Sequence, residues 1–335
     1  MYIPKSPIKL CLDLTSQCNI KCDHCVANAD SNGISIPPDI AHSIIDEAKS
    51  IGVRDLVLGG GEVLLYKEFF EICEYALSGG LNVSFTTNGL LIPEKEDGLR
   101  NLNKYDKQLR IGISLDGYTP EMHGYFRPKE TFEPAIEAIN ILQNNNISVH
   151  VLCVLNSVNT SYLENFLKFI SELHVKNVRL IPLMPLGRGK KHTKDIILAD
   201  DLHFILKKRQ EWNRVFNINI GLRMPWDFLF LPADTRHLAP CEAGYLRLWI
   251  NSNGNMFPCA YMQDYPIGNI YKDSISDVWM NSPMLRKLRD PTLLKGACST
   301  CNYLNGCRGG CRGLALFVEG DYLCADPYCP IVSQK

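Results

Sequence analysis

The distribution of cysteine is the feature of this sequence that most constrains the fold. Fourteen cysteines occur in 335 residues; six precede residue 241, and the other eight lie between Cys241 and Cys329. Such a density at one end of a chain predicts a small region whose core is held together by metal as well as by apolar packing. We therefore divide the chain into a first domain over residues 1–195, a bridging segment over 196–240 and a cysteine-rich domain over 241–335.

The composition excludes several classes of protein. Apolar residues make up 46% of the chain and charged residues 21%, which is typical of a globular protein. The formal net charge is −1, so there is no electrostatic case for binding nucleic acid or an anionic membrane surface. No apolar run is long enough to span a bilayer, and the N-terminus lacks the features of a signal peptide. We expect a cytoplasmic protein, and in that reducing compartment cysteines serve metal binding or catalysis rather than disulfides.

The first domain alternates short strand-like runs with longer helix-like segments. The predicted strands are Ile8–Leu14, Asp55–Leu58, Asn82–Thr87, Leu109–Leu115, Ser148–Leu155 and Asn177–Ile181. The predicted helices are Pro38–Ser50, Lys67–Ser78, Glu94–Asn103, Phe132–Asn144 and Ser161–Leu173, with a further helix over Leu202–Phe216 in the bridging segment. This alternation predicts an α/β fold with a parallel sheet and helices outside it, specifically a partial (β/α)6 barrel.

The loops that follow the first four predicted strands contain the residues with the clearest chemical potential. In order, they carry a cysteine triad, Gly59–Glu62, Thr86–Gly89 and Asp116-Gly117. Because chemistry collects at the carboxyl ends of parallel strands, we expect these four loops to share one active-site face.

The cysteine triad consists of Cys18, Cys22 and Cys25, with the spacing C-x3-C-x2-C. Three thiolates this close together can hold three irons of a [4Fe–4S] cluster and leave the fourth iron open to an external ligand. A structural zinc site is the alternative; it would require a fourth ligand, for which His24 is the nearest choice.

Three further motifs follow the triad along the chain: Gly-Gly-Glu, which ends at Glu62, Ser-Leu-Asp-Gly, which begins at Ser114, and His123-x3-Arg127. With the triad and these motifs, the chain resembles the radical S-adenosylmethionine (SAM) superfamily over about its first 185 residues. The resemblance implies that SAM is bound by Gly60, Gly61, Glu62, Ser114 and Arg127. In this family, SAM chelates the open iron, and one electron from the cluster cleaves it to a 5′-deoxyadenosyl radical that abstracts a substrate hydrogen. The hard chemistry belongs to the cofactors, and the protein supplies placement and exclusion of water.

Each motif carries a specific expectation. In the Gly-Gly-Glu motif, the carboxylate of Glu62 would receive the SAM amino group, and the glycines would permit close approach; Val63 stands where the family usually has proline. Ser114 belongs to a Ser-Leu-Asp-Gly strand end whose serine contacts SAM. Arg127 lies four residues after His123 and would bind the SAM carboxylate with its planar fork.

The C-terminal cysteines resemble the seven-cysteine SPASM domain, which carries two auxiliary iron–sulfur clusters. Zinc is the chemical alternative, because C-x2-C is also a zinc spacing. The resemblance implies that Cys241, Cys259 and Cys311 hold auxiliary cluster I. It also implies that auxiliary cluster II is held by Cys298, Cys301, Cys307 and a late cysteine, for which Cys329 is a better match than Cys324. Cluster I lacks an obvious fourth ligand: Cys324, an oxygen ligand or none remain open. Both auxiliary clusters are expected to be [4Fe–4S].

The resemblance implies a net two-electron oxidation, because an auxiliary cluster can accept the second electron from a substrate radical. The tail and Leu186-Gly-Arg188-Gly are similar to enzymes of haem, haem d1, pyrroloquinoline quinone and mycofactocin synthesis. We predict oxidative modification (cross-link, decarboxylation or dehydrogenation) of a peptide or protein in natural-product or cofactor maturation, a choice that depends on how common such substrates are in the family. Sulfatase maturases carry an aspartate where this chain has Ala260, which counts against that branch.

Three alternatives to peptide oxidation remain open. One is modification of a tetrapyrrole side chain, a second is a sugar or aminocyclitol dehydrogenase or epimerase, and a third is a non-enzymatic iron–sulfur scaffold, against which the SAM motifs count. An epimerase would need a hydrogen donor, for which the remaining cysteines are candidates: Cys11, Cys73, Cys153 and Cys324. The first three also suit small buried apolar positions. No catalytic residue is assigned.

The partners expected from the resemblance are the substrate and an electron donor such as ferredoxin or flavodoxin. Peptide maturases often carry an N-terminal leader-binding domain, and a triad that begins at Cys18 leaves no room for one. A separate peptide-binding protein is therefore a further expected partner.

Overall fold

A strand followed by a helix recurs along the first half of the chain, as the alternation predicts. The computed structural model describes residues 4–222, 224–231 and 241–333. Its strands are β1 (Lys9–Thr15), β2 (Asp55–Gly60), β3 (Asn82–Thr87), β4 (Leu109–Ser114), β5 (Val149–Leu155), β6 (Asn177–Pro182), β7 (Asn219–Gly221), β8 (Arg247–Ile250), β9 (Asn255–Phe257) and β10 (Gly268–Asn269).

The helices follow the same order along the described chain. They are α1 (Pro38–Ser50), α2 (Phe69–Ser78), α3 (Ile92–Leu102), α4 (Pro120–His123), α5 (Phe132–Asn144), α6 (Leu163–Glu172), α7 (Ala199–Val215), α8 (Ile275–Asn281), α9 (Pro283–Arg289), α10 (Leu304–Cys307), α11 (Arg312–Glu319) and α12 (Pro330–Ser333). None of the described helices is long and apolar enough to cross a membrane.

Local sequence explains why the barrel elements form. In α1, the buried residues are Ala41, Ile44, Ile45 and Ala48, which recur at helical spacing and face the sheet. In β5, burial alternates residue by residue, so one face packs against the helices and the other faces away from them. The predicted α/β fold is confirmed.

The strands form one ten-stranded sheet in the order β10-β9-β8-β1-β2-β3-β4-β5-β6-β7. Every pair from β8 to β7 is parallel, whereas β8-β9 and β9-β10 are antiparallel. In a flat sheet, six strand spacings would put β6 about 29 Å from β8. The charge of Arg247 on β8 nevertheless lowers the pKa of Arg179 on β6, so the sheet curls and encloses a lumen.

The sequence reading missed the outer strands. β7, in the predicted bridging segment, pairs with β6, and β8, in the predicted cysteine-rich domain, pairs with β1. These strands have three and four residues, too few for a period to be read, and their partners are distant in sequence. The division at 195 and 241 stays a prediction; residues 1–3, 223, 232–240, 334 and 335 lie outside the described residues.

Candidate active site

The cysteine triad lies in the loop between β1 and α1. Neighbouring segments bind its backbone: Cys18 N donates to Asp30 O (2.8 Å), Asp23 N to Phe126 O (2.8 Å) and Arg188 N to Cys25 O (3.0 Å). Burial raises the pKa of Cys22 to about 11. Arg127 counteracts the rise, and the nearby Cys25 and Cys18 add to it. The three thiols are therefore neighbours on one well-supported loop.

The spread of the thiols bears on the choice of metal. Within the described ranges, no group of three or more His, Cys, Asp or Glu side chains is close enough to hold a single ion. In a cubane, each thiolate binds a different iron, so its ligands stand farther apart than those of one ion. The arrangement therefore suits an iron–sulfur cluster better than zinc.

The Leu186-Gly-Arg188-Gly motif clamps the triad loop, a role that the sequence did not reveal. Arg188 Nε donates to Cys22 O (2.7 Å) and Nη1 to Ala29 O (2.8 Å). Gly187 has a φ of +55°, and a Cβ there would lie 2.4 Å from Cys25 O. The motif thus fixes the backbone that carries the cysteines.

The Gly-Gly-Glu motif packs against the start of the same loop. A Cβ on Gly60 (φ +129°) would lie 1.8 Å from Thr15 O, and one on Gly61 would lie 2.0 Å from Gln17 O. Gly61 N donates to Thr15 O (2.8 Å), and Glu62 N donates to Gln17 O (2.7 Å). The close approach that requires glycine is therefore to the protein backbone before the triad.

Glu62 is fixed in place by its neighbours. Its side chain is almost fully buried; Oε2 accepts from Asn88 N (2.8 Å), and Oε1 accepts from Leu64 N (3.2 Å). Burial raises the pKa of this carboxyl, and the bonds from Asn88, Thr87 and Leu64 counteract that shift. Asn88 also bonds Asn19 in the triad loop (2.8 Å), so the loops after β1, β2 and β3 meet here.

Arg127 is anchored at the end of β4, between Asp116 and the triad. Its Nε donates to Asp116 Oδ2 (2.6 Å), and its Nη1 lies 3.8 Å from Cys22 Sγ. Burial would raise the pKa of Asp116, but the charge of Arg127 and the hydrogen bond from Val154 N hold it below its usual value. A charged guanidinium therefore faces a triad cysteine, and Ser114, nearly buried, ends the same strand.

Two histidines support this pair and are neutral. Burial lowers the pKa of His24 and of His123 to about 4 in each case. His123 Nδ1 accepts from Asp116 N (3.3 Å), so the histidine of the H-x3-R motif positions the Asp116 loop. His24 packs on Phe126, its Nε2 lies 3.6 Å from Asp116 Oδ2, and its buried Nδ1 has no hydrogen-bond partner. A buried imidazole nitrogen left open beside three thiols is consistent with a group that occupies this space.

The structure brings Cys241, Cys259 and Cys311 together, as the first auxiliary site requires. Burial raises the pKa of Cys259 to about 12, and the proximity of Cys241 contributes to the rise. Burial also raises the pKa of Cys311, and Cys241 and Cys259 both contribute. Thiols whose burial disfavours ionisation become thiolates readily when a metal neutralises their charge. This donor set therefore fits an iron–sulfur cluster.

The second auxiliary site is a cleft lined by Cys298, Cys301, Cys307 and Cys329. The rest of the lining is mostly apolar and includes Trp226. Cys324 is not among the lining residues, which favours Cys329 as the fourth thiol of this set.

Asp326 connects the two auxiliary sites and was not assigned from sequence. Its Oδ2 accepts from Cys311 N (2.7 Å) at the first site and from Trp226 Nε1 (2.8 Å) at the second. Nearby, Arg312 Nη1 donates to Cys324 O (2.7 Å). The only signal in the sequence was an acid three residues before Cys329, and spacing alone does not give it a partner.

The remaining cysteines differ in their surroundings. Cys73 and Cys153 are buried in the main hydrophobic core, as expected of small apolar residues. Cys11 is also buried, but it lies on the lumen face of β1 beside Asp13. Burial raises the pKa of Asp13 to about 7, and its Oδ2 accepts from Trp249 Nε1 (2.8 Å). Asp13 is therefore a carboxyl with the acidity of a proton acceptor at neutral pH, which the sequence did not single out.

Comparison with known proteins agrees with this geometry. The model of the radical SAM superfamily matches residues 12–170, and the model of SPASM, an iron–sulfur cluster-binding domain, matches residues 241–302. The chain is 30% identical to the AdoMet-dependent heme synthase of Methanosarcina barkeri over 97% of this chain and 96% of that protein. It is 29% identical to the mycofactocin maturase MftC of Mycolicibacterium smegmatis, over 97% of this chain and 83% of that protein.

Solved structures share the fold. Streptococcus suis SuiB bound to S-adenosylmethionine superposes with a TM-score of 0.81 at 19% identity, over 97% of this chain and 78% of SuiB. Native anSMEcpe with bound AdoMet gives 0.77 at 21% identity, over 98% and 95%. The predicted family, fold, SAM and iron–sulfur cofactors and enzymatic nature are confirmed. The chain belongs to the radical SAM superfamily and to its SPASM-domain subfamily, and it is an enzyme.

Proposed function

We propose that this enzyme cleaves SAM reductively and carries out a net oxidative modification of a peptide or protein in natural-product or cofactor maturation. The observation that carries the proposal is the arrangement of three separate cysteine sets around one barrel, the first of them beside the Gly-Gly-Glu loop. A non-enzymatic scaffold would have no use for the SAM motifs around the triad.

In this proposal, Cys18, Cys22 and Cys25 hold the cleaving cluster. When bound, the cluster supplies the electron that cleaves SAM, and the resulting 5′-deoxyadenosyl radical takes a hydrogen atom from the substrate. The chain's own residues place SAM: Gly60, Gly61, Glu62, Ser114 and Arg127 form its site. Glu62 is held in position by two backbone N–H groups, so its carboxylate presents a fixed negative charge to the SAM ammonium.

Arg127 has two roles in the proposal. Its Nε is committed to Asp116, and its Nη1 faces Cys22, so the guanidinium contributes positive charge at the triad as well as a donor for the SAM carboxylate. Arg188 holds the loop itself. Both arginines act from fixed positions, which spares reorganisation during the reaction.

The two auxiliary sites receive the second electron of the oxidation. We propose that Cys241, Cys259 and Cys311 bind the first cluster and that Cys298, Cys301, Cys307 and Cys329 bind the second. Cys324 stays an alternative fourth ligand for the first. A ferredoxin or flavodoxin is the proposed electron donor, which goes with a cytoplasmic location, and a separate peptide-binding protein is a further proposed partner.

The names of several relatives support a peptide substrate. Relatives include mycofactocin maturases and a protein of Bacillus subtilis for biosynthesis of the antilisterial bacteriocin subtilosin, 25% identical over 90% of this chain. SuiB has been solved with the precursor peptide SuiA. A tetrapyrrole substrate is the second candidate, because the M. barkeri heme synthase matches this chain over 96% of its own length.

Anaerobic reconstitution with iron and sulfide, followed by dithionite and SAM, tests the proposal. We expect 5′-deoxyadenosine and methionine from the wild type, none from Cys18→Ala, and a reduced amount from Cys298→Ala. Cys73→Ala, which removes a buried thiol outside the three sets, is the matched control and should match the wild type. Absence of 5′-deoxyadenosine from fully loaded wild type would falsify SAM cleavage.

The substrate is tested separately by mass spectrometry. A short peptide encoded beside the gene should lose two hydrogens or a carboxyl group when incubated with the loaded enzyme and reductant. No mass change in such peptides, together with conversion of a tetrapyrrole, would transfer the proposal to the second candidate.

A further inference from the structure

Three arginines point into the lumen of the barrel. Arg179 on β6 lies between Val178 and Leu180, both buried against the helices, so its side chain faces the opposite side of the sheet. The same alternation places Arg110 on β4 and Arg247 on β8 on the lumen face. Arg179 and Arg110 are exposed, and Arg247 is half-buried. An exposed guanidinium on the inner wall can bind a ligand there if it has no charged partner in the protein.

Arg179 has no such partner among the described residues. It forms neither an ion pair within 4.0 Å nor a side-chain hydrogen bond with any of them. Its side chain is exposed to solvent, although desolvation by the surrounding wall, followed by the charge of Arg247, lowers its pKa. Arginine nevertheless remains charged in proteins, so a positive group faces the lumen without a charged partner among the described residues.

The neighbouring carboxylate does not neutralise this charge. Glu242 is shared by Lys9 Nζ (3.3 Å) and by Arg247, to which it forms a short contact. The buried Nε of Arg247 has no hydrogen-bond partner. Positive charge on this part of the wall therefore exceeds negative charge.

The other titratable groups that face the lumen do not change this balance. The imidazole of His150 on β5 packs over Gly112; a Cβ on Gly112 would lie 2.5 Å from Nε2 of His150. Burial, with Arg179 and Arg110, lowers the pKa of His150 to about 4, so it is neutral. Asp13 is bonded to Trp249, and with a pKa of about 7 it is only partly ionised at neutral pH.

The position of Arg179 links it to the first auxiliary site. Tyr261, two residues after Cys259, and Glu242 are among the neighbours of Arg179. Tyr261 also packs in the small hydrophobic cluster that contains Cys259 and Cys241. Tyr261 therefore connects Arg179 with the thiols of that site.

We propose that Arg179, with Arg247 near it, binds a carboxylate of the substrate inside the barrel. A planar guanidinium binds a carboxylate through two parallel hydrogen bonds. Half-buried Leu152, in register with Arg179 on β5, and Trp249 offer apolar contacts, which suits an organic acid better than free phosphate. The inference rests on the proposed function and narrows its substrate class to carboxylate-bearing molecules, of which a peptide C-terminus and a tetrapyrrole propionate are the two sources.

Equilibrium binding to the anaerobically reconstituted enzyme with SAM, measured by ultrafiltration, tests the subsite. The probes are an apolar peptide with a free C-terminus and its C-terminal amide, and a porphyrin tetrapropionate and its methyl ester. We expect the wild type to bind one of the acids at least about tenfold more tightly than its neutral form, the preference expected of a charge-assisted pair. The acid that shows the preference identifies the source.

Arg179→Gln should remove that preference without changing the affinity of the neutral form. Arg179→Lys, which keeps the charge and loses the fork, should retain part of it. Arg100→Gln is the matched control, because Arg100 is an exposed arginine on α3. Both Arg179 variants should keep wild-type iron content and wild-type 5′-deoxyadenosine formation without substrate.

Three results would overturn the inference: equal binding of acid and neutral forms by the wild type, no binding of either acid, or equal loss of both forms in Arg179→Gln. Displacement of the acid by an equal concentration of inorganic phosphate would also overturn the carboxylate assignment. Failure of the wild type to form 5′-deoxyadenosine instead contradicts the proposed function, so the two failures are distinguishable.

Discussion

The triad loop and the C-terminal cysteine region bind their proposed clusters in different ways. Around the triad, protein groups hold the loop: Arg188 bonds two of its carbonyls, and Arg127 is fixed on Asp116. Between residues 291 and 333, the C-terminal region has only short helices, and its four-cysteine cleft is lined by the cysteines and mostly apolar neighbours. The comparison suggests that the first site is largely built before iron arrives, whereas the second is completed by iron.

Removal of iron should give the largest effect. We expect residues 291–333 to lose amide protection by orders of magnitude in the apo-protein, because metal binding there contributes folding energy. Strands β1–β6, with their continuous hydrophobic core, should lose little. Hydrogen exchange followed by mass spectrometry measures both, and equal loss in the two regions would contradict the comparison.

Separate substitution of the two late cysteines should have different effects: one variant should lose a cluster and the other should keep it. Cys329→Ser should lower the iron content by about four atoms per chain, because Cys329 lines the cleft of the second auxiliary site. Cys324→Ser is the matched variant and should keep that cleft's iron. Iron analysis with Mössbauer or electron paramagnetic resonance spectra measures the outcome; the reverse pattern would assign Cys324 to the cleft.

Loss of the Arg188 clamp should slow SAM cleavage about tenfold, because the guanidinium provides three hydrogen bonds to the triad loop that alanine cannot form. Arg188→Ala should also shift the redox potential of the cleaving cluster while leaving the auxiliary clusters unchanged. Lys190→Ala, an exposed change in the same segment, serves as the control. An unchanged potential in Arg188→Ala would show that the loop holds its shape without the clamp.

Substitution of Asp13 should give the smallest effect, which is visible only in how thermal stability depends on pH. Its folded pKa of about 7 lies above the usual value, so the folded state prefers the protonated form. Its contribution to stability is full below pH 4 and is lost as the pH rises towards and through 7. Between pH 6 and 8, thermal stability of the loaded wild type should therefore fall more than that of Asp13→Asn; parallel curves for the two proteins would remove Asp13 from this account.

Much of the barrel could be predicted from sequence because its elements carry strong local signals. β3, α1 and α5 begin and end where the pattern placed them, and the others differ by a few residues at their ends. The cysteine sets were predictable because metal ligation restricts spacing. The short α4, over Pro120–His123, was missed because four residues contain no helical period.

The contacts that explain the sites were beyond prediction, since they join distant segments. Arg188 reaches Cys22 across 166 positions, and Trp226 reaches Asp326 across 100. From sequence, Arg179 is one polar residue of an alternating strand. Only the curl of the sheet shows that its side chain faces the lumen. No local pattern encodes such pairings, because they depend on how the elements pack.

The pairing of β8 with β1 has a consequence for the timing of electron transfer. The strand that leads into Cys18 and the strand that follows Cys241 lie side by side, with Leu10 opposite Leu248 and Cys11 opposite Trp249. Tunnelling between redox centres slows steeply with their separation. Two hydrogen-bonded strands thus set the gap between the proposed cleaving and first auxiliary clusters, and with it the rate at which an electron would pass between them.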